Sequence, residues 1–142
     1  MAGIVVGVDG SEHSERALDW AAQEASLRHV PLTVINVFPA VTSYWGAVPY
    51  TDAELDIEQA RHEVQMLADK AVGRLAGPPP AVTVQATYGS PATELISAAH
   101  DAELLVVGCR GSGGFARLLL GSVSSQVAHH APCPVVIVRE PS

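Results

Sequence analysis

The densest chemistry in this sequence lies in one stretch of small residues. Glycines at positions 108, 111, 113, 114 and 121 punctuate the segment VGCRGSGGFARLLLGSVSS, which closes on Ser122, Val123 and Ser124. Glycine admits positive φ and close backbone approach, so successive amide N–H groups along Gly108, Cys109, Arg110, Gly111, Ser112, Gly113 and Gly114 can converge on phosphate oxygens. Ser122 and Ser124 then open a helix, whose free N–H groups and positive dipole end favour an anion at the same point. Loop and helix start together read as a phosphate cradle. Arg110 and Arg117 either add charge to it or point into water. A second chemically competent residue, Asp9, follows the apolar run GIVVGV. It is either an Asx-turn former ahead of a helix or a carboxylate that accepts hydrogen bonds from a ligand.

Other chemistries fit these residues less well. A P-loop needs a lysine directly before the Ser/Thr of the loop, and the lone lysine, Lys70, is remote in sequence. The dinucleotide fingerprint belongs after the first strand, where this chain reads VDGSEHSE, without G-x-G-x-x-G. Ser122, Ser124 and Ser125 near His129 lack the G-x-S-x-G elbow of a hydrolase, and helix geometry keeps residue 129 away from 122. His129, His130 and Cys133 lack a fourth ligand at zinc spacing, so no metal site is assigned. His130, seven residues after Val123, is expected in the core or at an interface. Cys109 is read as a small residue whose backbone matters, with a reactive thiol as the alternative. Cys133 is expected to be packed.

The elements that must position these residues follow from periodicity. Apolar, β-branched runs predict strands at Gly3 to Val8, Leu32 to Val37, Val82 to Thr87, Leu104 to Gly108 and Pro134 to Arg139. Helices are predicted from Ser11, as N-cap, to near His29; from Asp52 to Leu75, closed by Gly77 and the prolines after it; from Ser90-Pro91 to about His100; and from Ser122 to about Ala131. The stripe Ala17, Leu18, Ala21, Ala22 and Ala25 marks the buried face of the first helix. The segment from Phe38 to Thr51 is a long loop, and its aromatics Tyr44, Trp45 and Tyr50 either cover a ligand or fill surface. Alternation of strand and helix implies a mainly parallel sheet with right-handed crossovers. Its ligand site belongs beyond the carboxyl ends of the strands, where the winding reverses.

Composition agrees. The chain has 142 residues, 48% of them hydrophobic and only 5% aromatic, which suits one domain, 1–142, with an aliphatic α/β core. A net charge of −7 argues against nucleic acid as a partner. Yet no Asp or Glu falls between Glu103 and Glu140, so a local anion site is compatible with the acidic whole. Two unframed cysteines, no leader pattern and no membrane-length apolar run lead to the expectation of a cytoplasmic protein without a membrane partner.

The sequence resembles the ATP-binding universal stress proteins over essentially its full length. The resemblance rests on VGVDG with Ser11, on G-x2-G-x9-G-[ST] realised as Gly108, Gly111, Gly121 and Ser122, and on HAPCPVVIV at the end. It implies a Rossmann-like, open doubly wound five-stranded sheet in the order 3-2-1-4-5, homodimers formed through Pro134 to Arg139, and ATP with Mg2+ or Mn2+ between the first and fourth strands. It also implies that Gly7 and Asp9 lie against the adenosine, that Val37 lines the adenine pocket and that Gly108 borders the ribose. Cys109, Arg110, Gly111, Ser112, Gly113 and Gly114 would wrap the phosphates, with Gly121, Ser122, Val123 and Ser124 at the terminal ones. The expected role is a nucleotide-responsive regulator in stress response or growth control, with an unidentified protein partner. A slow ATPase and a nucleotide-independent interaction module remain the alternatives.

Overall fold

Five parallel strands and four helices alternate along the chain in a computed structural model that describes residues 3–38, 50–109 and 121–139, with side chains from residue 57 onward in the middle segment. Strand β1 (Ile4–Val8) is buried throughout, as expected of β-branched sequence covered on both faces. It turns at Gly10, φ 86°, into α1 (Glu12–Arg28). Ser11 caps this helix through Ser14 N–H, Glu12 and Glu15 lie in its first turn, and Ala17, Leu18, Ala21, Ala22 and Ala25 are all buried as the stripe requires. Strand β2 (Leu32–Phe38) follows, then α2 (Tyr50–Gly73) and β3 (Val82–Tyr88). Next come α3 (Pro91–Ala98), which runs on as a 3-10 turn over Ala99–Asp101, and β4 (Leu104–Gly108). The described chain closes with α4 (Ser122–His130) and β5 (Val135–Val138). Helix α2 stops at Gly73, short of the expected Leu75 and Gly77, and its start at Tyr50 trims the expected loop to the segment before it.

The sheet order is β3-β2-β1-β4-β5, every pairing is parallel, and the winding direction reverses between β1 and β4. Alternate strand residues feed two cores. Ile4, Val6, Leu32, Val34, Leu104 and Val106 pack under α1 and α2, whereas Val5, Ile35, Val37, Leu105 and Val107 pack under α3 and α4. The outermost strands, β3 and β5, carry half-exposed residues, consistent with an edge position. Among the described residues no helix is long and apolar enough to cross a membrane.

Candidate functional site

The ladders between strands explain where a ligand can enter. Strand β1 pairs with β2 as far as Val8↔Asn36, and β4 pairs with β5 as far as Gly108↔Val138, but β1 and β4 pair only to Val6↔Val106. Past that point their carboxyl ends part, at the place where the winding reverses. The gap opens into a cleft of about 100 Å³, lined among the described residues by Gly7, Val8, Asp9, Ser14, Ile35, Val37, Pro91, Leu95, Val107, Gly108, Val123 and Ser124.

One wall is the turn from β1 to α1. Asp9 Oδ1 accepts the Ser11 N–H at 2.9 Å, an Asx turn, while the residue stays exposed at the cleft. Its own N–H donates to Ser14 Oγ at 3.2 Å, and Ser14 Oγ in turn donates to Ser11 O at 2.9 Å. Asp9 is therefore a turn former that also lines the cleft. Ser14 is buried and escaped the sequence reading, although its position three residues after the cap is a recognisable capping arrangement.

The two glycines of the cleft have different reasons. A Cβ on Gly7 would meet Leu95 Cδ1 at 2.8 Å, so this glycine makes room for α3 on the cleft side. A Cβ on Gly108 would lie 2.8 Å from the backbone carbonyl of His13, so that glycine lets the first turn of α1 close against the end of β4. Ile35, Val37, Pro91, Leu95, Val107 and Val123 make the rest of the lining apolar.

The far wall is the start of α4. Gly121, its N-cap, has no side chain to accept from the first turn, and the first intrahelical bond is Ser125 N–H to Gly121 O at 3.0 Å. The amides of Ser122, Val123 and Ser124 therefore precede the helical ladder, which is the arrangement that favours an anion. Cys109 anchors both ends of the glycine-rich segment. Its carbonyl accepts Gly121 N–H at 2.7 Å and Ser124 Oγ at 3.0 Å, and its N–H donates to Val138 O at 3.0 Å. The reading of Cys109 as a backbone residue thus has a concrete form. Ser124 is buried with its Oγ also 3.1 Å from Gly121 O, so its proton serves the main chain that closes the loop.

Gly7, Asp9, Val37, Gly108, Val123 and Ser124 thus line one cleft, with Cys109, Gly121 and Ser122 beside it. Arg110, Gly111, Ser112, Gly113, Gly114 and Arg117 lie outside the described residues, as do Tyr44 and Trp45. His129 and His130 are exposed on this chain, which removes the core alternative for His130 and leaves the interface one; the buried face of α4 is carried by Ser124 and Val127. Cys133 packs against the core under α3 and α4, and its burial pushes the thiol pKa up against a backbone hydrogen bond from Leu105.

With this geometry in hand, comparison with known proteins is decisive for the family. A model described as the Universal stress protein family matches residues 2–139. The chain belongs to the universal stress protein family. A universal stress protein of Mycolicibacterium smegmatis is 44% identical over 141 residues, covering 96% of this chain and 48% of that protein. The chain spans about half the length of the curated relatives it matches. A universal stress protein solved in complex with cAMP is similar at TM-score 0.70 and 28% identity, covering 97% of this chain and 96% of that one. The hypothetical protein MJ0577 shares the fold at TM-score 0.78 and 21% identity, covering 100% of this chain and 99% of that one. The Rossmann-like five-stranded architecture is thus common to universal stress proteins and to this chain.

Proposed function

We propose that this universal stress protein binds ATP with Mg2+ or Mn2+ in the cleft between β1 and β4 and acts as a nucleotide-responsive regulator in stress response or growth control. One observation carries the reading. Where β1 and β4 part, Asp9, an apolar slot and the first-turn residues Val123 and Ser124 of α4 line the same space, which suits a molecule with a hydroxylated sugar, a flat base and an anionic tail. The cAMP complex of the 28% identical relative supports the nucleotide part of it.

In this reading Ile35, Val37 and Leu95 flank the base, and Asp9 accepts hydrogen bonds from base or ribose. The amides of Ser122, Val123 and Ser124, together with the segment from Cys109 through Arg110, Gly111, Ser112, Gly113 and Gly114, hold the phosphates. Asp9 is the acidic residue among the described lining residues, so a divalent cation would arrive on the phosphates and neutralise their charge. Regulation follows if occupancy favours one conformation of the glycine-rich segment over another. Dimerisation through β5, an apolar edge strand, belongs to the same proposal.

Identification of co-purifying nucleotide by native mass spectrometry, with isothermal calorimetry against Mg-ATP, tests the reading. Bound adenine nucleotide and a saturable heat are expected. An empty protein with neither heat nor thermal shift at millimolar Mg-ATP refutes it and leaves the nucleotide-independent module. Sustained phosphate release lost in Asp9→Ala would replace the regulator with a slow ATPase.

A further inference from the structure

The ends of β1 and β4, whose pairing stops at Val6 and Val106, are bridged again by the first turn of α1. Asp9 N–H, just past β1, donates to Ser14 Oγ at 3.2 Å, and Ser14 Oγ donates to Ser11 O at 2.9 Å. Ser14 N–H donates to Ser11 Oγ at 3.3 Å and Ser11 N–H to Asp9 Oδ1 at 2.9 Å, which closes a circuit of hydrogen bonds through Asp9, Ser11 and Ser14. One residue earlier in the same turn, the His13 backbone lies so close to Gly108 that a Cβ there would meet its carbonyl at 2.8 Å. The turn is a spacer: one side holds Asp9, and the other rests on the end of β4. Ser14 lines the cleft yet is only 5% exposed, and its proton is committed to Ser11 O, so it has none to offer a ligand. Capping of α1 needs only the bond from Ser14 N–H to Ser11 Oγ. The bond from Asp9 N–H to Ser14 Oγ reaches outside the helix and fixes a residue of the cleft.

We propose that Ser14 is a positioning residue for the nucleotide: it holds the Asp9 carboxylate at a set place opposite β4, and the affinity it contributes passes through Asp9 to the nucleoside end of the ligand. This rests on the nucleotide-binding reading above. Without Ser14 Oγ, Asp9 N–H and Ser11 O each lose this partner, and the Asx turn is left to the Ser11 N–H bond. The carboxylate then takes up several orientations, of which the ligand must select one, and affinity falls by the fraction of time spent in it. The phosphates, assigned to the start of α4 across the cleft, bear none of that loss.

The test is a double-mutant cycle on the full chain: wild type, Ser14→Ala, Asp9→Asn and the pair of substitutions together, titrated with Mg-ATP and with adenosine in a calorimeter well below the unfolding temperature of each. Ser14→Ala is expected to weaken Mg-ATP and adenosine by the same factor, about fivefold. The double variant is expected to bind within about twofold of Asp9→Asn alone, because Ser14 has nothing to position once the charged acceptor is gone. Ser14→Cys keeps the volume of the side chain and weakens both of its hydrogen bonds, so it repeats the cycle should Ser14→Ala not fold. Unchanged affinity in the Ser14 variants overturns the proposal. Losses that multiply in the double variant do the same, since they place the effect of Ser14 outside Asp9. A loss confined to Mg-ATP, with adenosine bound as before, also overturns it by moving the effect to the phosphate end. Wild-type binding that fails these comparisons leaves the nucleotide reading in place and removes this inference alone. Absence of any heat in the wild type removes both.

Discussion

Asp9 shows how one side chain serves both a turn and a site. Its Oδ1 is held by Ser11 N–H and its main chain by Ser14, so the carboxylate is oriented before any ligand arrives. Asp9→Asn keeps an acceptor for the Ser11 amide. Denaturant unfolding should therefore change by less than about 0.5 kcal/mol, whereas Mg-ATP affinity in calorimetry should fall about tenfold with the loss of a charged acceptor. The two cleft glycines should separate in the opposite way. Gly108→Ala drives a methyl into the His13 backbone, and unfolding should show a loss of about 1–3 kcal/mol. Gly7→Ala meets only the flexible end of Leu95, so its stability cost should be the smaller, with affinity reduced because the displaced leucine narrows the cleft.

At the scale of elements, the decisive arrangement is a strand end, a returning loop and a helix start pinned together. Gly121 N–H and Ser124 Oγ converge on the Cys109 carbonyl, which sets the uncapped first turn of α4 beside the mouth of the β1–β4 gap. Ser124→Ala leaves that carbonyl with one partner fewer. It should cost about 1–2 kcal/mol in denaturant unfolding and weaken ATP more than adenosine in calorimetry, because the phosphate end loses its anchor. Gly121 is buried at the same junction, so Gly121→Val should abolish ATP binding by filling backbone space while far-UV circular dichroism stays near native. Wild-type affinity in that variant would detach the phosphates from α4. Helix α3 contributes in a different manner: Pro91 starts it at the cleft and Leu95 projects into it, so this helix sets the width of the apolar slot.

For the molecule as a whole, two predictions concern assembly and ligand linkage. The half-exposed residues of β5 form one edge of the sheet, and light scattering after size exclusion at micromolar concentration should give twice the chain mass; a clean monomer would leave that edge without its proposed partner. Mg-ATP at about 100 times its dissociation constant should raise unfolding free energy by about 2.7 kcal/mol. What could be read from residues alone was whatever is local. Apolar β-branched runs, the Ser11 cap and the alanine stripe of α1 placed every strand and helix to within a few residues, because hydrophobic period and capping act over a turn or two. The glycine pattern likewise marked a candidate phosphate-binding segment, of which Gly108, Cys109 and Gly121 to Ser124 fall among the described residues. The tertiary structure alone decided that β1 and β4 stop pairing after Val6 and Val106, that Ser14 and Leu95 belong to the cleft, that Gly108 answers to the backbone of His13, and that His130 faces outward. Each of these depends on contacts between segments far apart in sequence, whose geometry is set by packing of whole layers and leaves no mark in local periodicity.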